Sequence, residues 1–493
     1  MDKVHVNRLE KFKDILLVVL VFTTILLLYF LWGSKSLESF IFSDDNEHYT
    51  VLSSEQVIFP DQIILGKGNG DYIIVTSEKE NLWKGQILEN FRNMSQDANI
   101  LVEEITAEKY KAAMSYPSII AKFAYNMPFN EFCDKYQIKQ QQGYDSINDL
   151  TEIGFSKGSK ESAFIFDGNK KRYYRLVGNK ELNIFDQVES LFTQQNLTTY
   201  FPLRTFLGEK STNDTLVPVE NSSAMASLTY QKDSQISQKE ITEDTAQDYF
   251  GGTFDFVRKV EESNGTIIYM YGYGQKVLII NPNEGSIEYK EEIKTNDSEQ
   301  KNMFECLDTA LAFVGSHGDF QTAAGQEIKP YLESASSIDD KKNAYRFVFS
   351  FSVGKNKLFY EDKMPIIIEV TGGQVSYFRR ELVNFDENQL QKKSGEQGIS
   401  AINMLAMNYN YILAKTNLLD KLDSQEISFE DTADRIDDLF TGYFRPSVKL
   451  SGDENTSGDN QLELIPVWVV EVNGMYLYFD LYDGQPKGYS KAY

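Results

Sequence analysis

Histidine and cysteine are nearly missing from this chain of 493 residues, which has three His and two Cys. His317 is the only histidine well inside the body of the sequence, so the several imidazoles that a His-based metal centre needs are not supplied. Cys133 and Cys306 stand far apart, which rules out a disulfide framework and leaves two unpaired thiols as the expectation. No phosphate loop, nucleophile elbow or H-E-x-x-H helix is present. Cationic charge is also in deficit. Lys and Arg number 49 against 73 Asp and Glu, a formal net charge of −24. Such a body repels nucleic acid, anionic lipid and polyphosphate. Prolines are few at 11, while Phe (33) and Tyr (29) are abundant, a balance that favours sheets with packed aromatic faces over disorder.

Long apolar runs are missing too, with one exception. Ile15 to Trp32, ILLVVLVFTTILLLYFLW, carries no charge. Its length corresponds to roughly 27 Å of helix against a hydrocarbon core of about 30 Å. A cleaved signal peptide would have a shorter apolar stretch and a small-residue cleavage site. Here the run closes on Tyr29, Phe30, Leu31 and Trp32, and Lys35 spoils the following Gly33-Ser34-Lys35-Ser36 as a site. The run reads as an uncleaved anchor, with Tyr29 and Trp32 at the membrane boundary. Lys3, Arg8, Lys11 and Lys13 precede it and place the N-terminus in the cytoplasm, leaving residues 33–493 outside the cell membrane. Thr23 and Thr24 lie mid-span. Their hydroxyls either bond back to their own helix or sit against another transmembrane helix. Phe22, Thr23, Thr24, Tyr29 and Trp32 are the candidate contacts for such a partner.

The remaining pattern is α+β. Residues 1–14 form a cytoplasmic tail, 15–32 the membrane helix and 33–46 a polar stalk. An N-terminal α+β domain is expected over 47–207. In it, short strands run through Val57–Pro60, Ile63–Gly66 and Asp71–Val75, with a Gly66–Gly70 turn. A helix covers Leu82–Met94 with Trp83, Ile87, Leu88 and Phe91 on one face. Strand 119–125, helix 129–136 and a hairpin through Asp167-Gly168 follow. Residues 208–235, rich in Ser, Thr and Asn, read as a linker or long loop. A central helix-plus-hairpin domain is expected over 236–295, opening with a helix capped by Thr242. The C-terminal α+β domain, 296–493, carries a helix over 298–316, a meander over 345–380, an amphipathic helix over 398–419 and a helix over 428–440 begun by Ser428-x-x-Asp431. It ends in a hairpin whose alternating strands flank Asn473-Gly474, a dipeptide suited to a turn with positive φ at both residues.

Little in this pattern carries chemistry. His317, in Ser316-His317-Gly318-Asp319, reads as a capping or hydrogen-bonding residue at a helix end. Asp453-x-Asn455-x-Ser457-Gly458 matches the first half of a calcium loop, but position twelve is Leu464 where a bidentate Glu is required. The sequence therefore predicts no catalytic residue, no metal ligand and no cofactor.

Several segments together resemble the YycH/YycI family, most closely the longer YycH members. These are the single N-terminal run, Phe59-Pro60 leading to a Gly-rich hairpin and Trp83, and Tyr249-Phe250 with Phe256 to Val260. Ala312-Phe313-Val314 with His317-Gly318 belongs with them, as do Pro466 to Val470 with Tyr478 to Gly484. The terminal hairpin is also similar to PepSY-like modules. The resemblance implies a membrane-anchored, non-enzymatic regulator of a Gram-positive cell-wall sensor histidine kinase. Its implied partners are that kinase and a YycI-like protein, met through the transmembrane helix and the exterior domains. A surface-anchored module that binds peptides or wall fragments, or acts as a chaperone, is the alternative reading.

Overall fold

The computed structural model describes Leu20 and residues 52–492, except 76–78, 98, 193–196, 209–210, 223, 226–227, 233–238, 283, 294–300, 319, 321–329, 339–342, 354–355, 386–396, 417–427 and 448–460. Apart from Leu20, the expected anchor, with Phe22, Thr23, Thr24, Tyr29 and Trp32, lies outside these residues, as does most of the calcium-like loop. Among the described residues no helix is long and apolar enough to cross a membrane.

The molecule is mixed α+β, built on two large sheets. The first contains β1 (Gln62–Gly66), β2 (Tyr72–Val75), β3 (Leu101–Ile105), β4 (Ser118–Pro128), β5 (Asp149–Ser156), β6 (Ser162–Asp167), β7 (Arg172–Val177), β8 (Thr199–Pro202) and β9 (Leu216–Pro218). Their order across the sheet is 3-7-6-5-4-1-2-8-9. The second contains β10 (Leu228–Lys232), β11 (Arg258–Glu261), β12 (Ile267–Tyr271), β13 (Lys276–Asn281), β14 (Ser286–Glu291), β15 (Pro330–Ser337), β16 (Ala344–Val353), β17 (Asn356–Tyr360) and β18 (Ile366–Thr371). It continues with β19 (Gln374–Glu381), β20 (Val383–Phe385), β21 (Asp438–Arg445), β22 (Gln461–Val472), β23 (Met475–Asp480) and β24 (Pro486–Lys491). Its main path runs 11-12-13-14-19-18-16-17-21-22-10-20. The pair β17–β21 is parallel. Because β14 pairs with β19, the central hairpins and the C-terminal meander share one sheet. Residues 208–235 supply β9 to the first sheet and β10 to the second.

Sequence patterning explains most elements. Trp83, Ile87, Leu88 and Phe91 are buried, as their helical spacing requires, although the segment Trp83–Leu88 is wound as a π-helix. The helix Met303–Ser316 starts at Asn302, whose side chain accepts from Glu305 N–H while Glu305 accepts from Asn302 N–H, and it buries Phe304, Leu307, Leu311 and Val314. The Asn473-Gly474 turn has φ of 52° and 72°, the left-handed pair the hairpin needs.

Three expectations are corrected. Val57 ends a helix, Ser54–Val57, instead of opening a strand, because the Gln56 side chain accepts the Ser53 N–H and nucleates a turn. The helix begun by Ser428 stops at Ala433, and Leu439 to Phe444 are drawn into β21 against β22. Thr242 is a buried interior residue of the helix Lys239–Phe250, not its cap.

One apolar core runs continuously from Val57 in the first unit to Leu481 in the second. Aromatic rings cross the junction: Tyr136 meets Phe304 edge-on with centroids 6.3 Å apart. Fully buried Trp83 packs edge-on against Phe123 at 5.2 Å.

Candidate functional site: a charged seam between the sheets

The polar groups that meet across the two sheets come from strands rich in apolar residues and from their flanks. Asp61 leads into β1, and Lys357 sits in β17 between Asn356 and Leu358. Their charged atoms are 2.8 Å apart, with side chains 13% and 17% exposed. The Lys357 ammonium also lies 4.3 Å from the centroid of the Tyr331 ring. Burial opposes the charge on Asp61, but Lys357, with Lys79 behind it, outweighs that and holds the carboxyl below its ordinary range. Burial likewise opposes the charge on Lys357, and Asp61 and Glu333 overcome it. Glu333 accepts a hydrogen bond from the Tyr476 hydroxyl at 3.1 Å. Burial raises its pKa.

A second group sits beside this one. Lys122, a lone cation in the apolar β4, donates to Asp438 of β21 at 3.1 Å, and Gln62 donates to the same oxygen at 3.1 Å. Asp438 raises the pKa of Lys122, more than burial lowers it. Glu152 of β5 accepts from the Tyr110 hydroxyl at 3.3 Å and is raised by burial. Glu471, near the end of β22, is pushed up to about 7, first by burial and then by Asp438, with Lys122 pulling the other way.

Hydrogen bonds extend the junction in both directions. Asp308 accepts from Ser54 N–H at 2.8 Å and pairs with Lys135 at 3.3 Å. Glu131 accepts from Met303 N–H at 2.8 Å. The Asn213 amide donates to the carbonyls of Ala433 and Ile436, each at 2.8 Å. This construction joins two units and places a carboxyl that titrates near neutrality between them.

His317 falls where the sequence put it, as the residue that ends the helix Met303–Ser316. Its Nδ1 is 2.8 Å from the Phe313 carbonyl and 3.0 Å from the Ser316 hydroxyl. The ring stacks on Phe313 at 4.1 Å, and burial lowers its pKa. Cys133 and Cys306 are free and buried, and burial raises their thiols to about 12 and about 11. Thiols held that high are poor nucleophiles. Among the described residues no group of three His, Cys, Asp or Glu is placed to hold a metal ion. A shallow groove of about 500 Å³ beside Phe313 is lined by Lys276, Glu291, Thr309, Ser316 and Gln374 among others.

None of the seam residues was singled out from sequence. A signal existed: Lys122 interrupts Ile-Ile-Ala-Lys-Phe-Ala-Tyr, and Glu471 interrupts Val-Trp-Val-Val-Glu-Val. A lone charge in an apolar strand asks for a partner, but the partners lie hundreds of residues away.

Fold and seam together define a two-sheet protein whose parts are joined by partly buried ion pairs. Residues 10–191 match the family model described as YycH protein, N-terminal domain. The crystal structure of YycH from Bacillus subtilis shares the fold, with a TM-score of 0.51 at 12% identity over 87% of this chain and 97% of that one. The N-terminal part of the chain thus matches the YycH N-terminal domain, and the fold of the chain is that of YycH. The Bacillus megaterium YpeB C-terminal domain aligns over 52% of this chain and 98% of that one at 8% identity, with a TM-score of 0.26. No curated protein matches the chain.

Proposed function

We propose that the chain is a non-enzymatic, extracytoplasmic regulatory subunit. It binds a membrane sensor histidine kinase of cell-wall metabolism and modulates it through the Ile15–Trp32 helix and the exterior domains. The observation that carries this reading is the match of residues 10–191 to the YycH N-terminal domain, a family of two-component system regulators. The charge-free run Ile15–Trp32 supports a single-pass anchor with the N-terminus in the cytoplasm. Such a subunit works by differential packing: a helix that contacts one state of the sensor better than the other shifts its equilibrium by that difference. Exterior contacts raise the effective concentration of the helix pair. The shallow groove beside Phe313 gives the alternative, a peptide or wall-fragment binder, less support than the family match gives the regulator. Affinity purification of the full chain from its own membranes tests the proposal. A sensor histidine kinase is expected in the eluate and is depleted when residues 15–32 are exchanged for an unrelated apolar helix. An eluate without any histidine kinase contradicts it.

A further inference from the structure

The second sheet ends at β11, and among the described residues no strand pairs with its outer edge. Arg258, Lys259, Val260 and Glu261 are all exposed, Val260 at 43%. The register with β12 fixes which backbone groups are spent. Arg258 lies opposite Met270 and Val260 opposite Ile268. Glu262 N–H donates to Thr266 O at 2.9 Å, so 262–266 is a hydrogen-bonded pair. Antiparallel pairs alternate, so Val260 and Arg258 also turn their backbone groups inward, while Lys259 and Glu261 aim theirs at the free edge.

We propose that this edge pairs with the same edge of a second copy of the chain, antiparallel, about a two-fold axis through Val260. Charge selects that register. A two-fold perpendicular to the sheet must pass through a residue, since residues facing each other share a side of the sheet. Centred on Val260, Lys259 faces Glu261 of the second copy and Arg258 faces its Glu262, so four oppositely charged pairs form. The outward backbone groups of Lys259 and Glu261 then meet as hydrogen-bonded pairs, and the two Val260 side chains touch at the non-hydrogen-bonded centre. Centred on Lys259 the axis sets Lys against Lys; centred on Glu261 it sets Glu against Glu. Lys259 reaches Glu243 at 3.4 Å and lies 5.7 Å from the Tyr269 ring centroid, with its side chain still 28% exposed. Charged side chains on an edge strand also serve to discourage pairing. A charge order that is self-complementary in only one register is the feature such protection does not require.

The test is disulfide trapping in the full chain, whose native thiols are buried. In the proposed register the two Val260 Cα atoms come to about 4.5 Å, within the span a disulfide bridges. Full-length V260C, oxidised in membranes or detergent, is expected to give a disulfide dimer at least tenfold faster than Y273C, a cysteine at a fully exposed turn position nearby. On the V260C background, K259E or E261K sets like charges opposite each other and is expected to cut the dimer several-fold. The double exchange K259E/E261K restores opposite pairs and is expected to recover it. Dimer formation by V260C no faster than by Y273C overturns the proposal, and so does trapping that ignores both single charge reversals.

Discussion

Lys357 joins the two sheets through a partly buried ion pair. It neutralises Asp61 at 2.8 Å and faces Glu333 and Tyr331 as well. Removing one member of a buried pair strands the other charge, at a cost of about 3–5 kcal/mol. Lys357→Ala should therefore lower the unfolding free energy of the full chain by about that amount, measured by urea titration. Joint replacement of Asp61 and Lys357 by Asn and Met should cost less than the single change, since no charge is left alone. Glu471 adds a pH dependence. Its folded pKa of about 7 lies above the unfolded value near 4.3, so the folded state holds the proton more tightly. That contribution is fully present below about pH 4.3 and is lost as pH rises through 7. Glu471→Gln should flatten this part of the profile and gain stability relative to wild type above pH 7. Melting temperatures of the two chains that run parallel from pH 5 to 8 would remove the assignment.

At the scale of the element, legibility followed locality. The Asn473-Gly474 hairpin and the helix Met303–Ser316 were readable because their determinants sit within a few residues of one another. Asn302→Ala removes the side chain that accepts from Glu305 N–H and should cost about 1 kcal/mol in thermal unfolding. Where tertiary pairing decides, sequence reading failed. Leu439 to Phe444 follow a good capping box, yet β22 offers them a ladder and they extend. Strand β9 is only Leu216–Pro218 within polar chain, and its place beside β8 shows in no local pattern. The seam is the extreme case. Lys122 and Asp438 are 316 positions apart, and no periodicity connects them.

At the scale of the molecule, the buried ionic seam and the continuous core bind the two sheets into one body. That body shares the fold of YycH, and its N-terminal part matches the YycH N-terminal domain. In the proposed arrangement a body held together at the seam would pass an exterior event to the membrane helix, whereas one hinged there would absorb it. The proposed regulatory role is therefore tested in cells by the output of the two-component system whose kinase the chain is proposed to bind. Three backgrounds are compared: wild type, a deletion of the gene, and a chain whose residues 15–32 are exchanged for an unrelated apolar helix of equal length. Kinase-dependent transcription is expected to change on deletion and to change again on the exchange, with the exterior body still present at the membrane. Output that stays at the wild-type level in both would contradict the regulatory account.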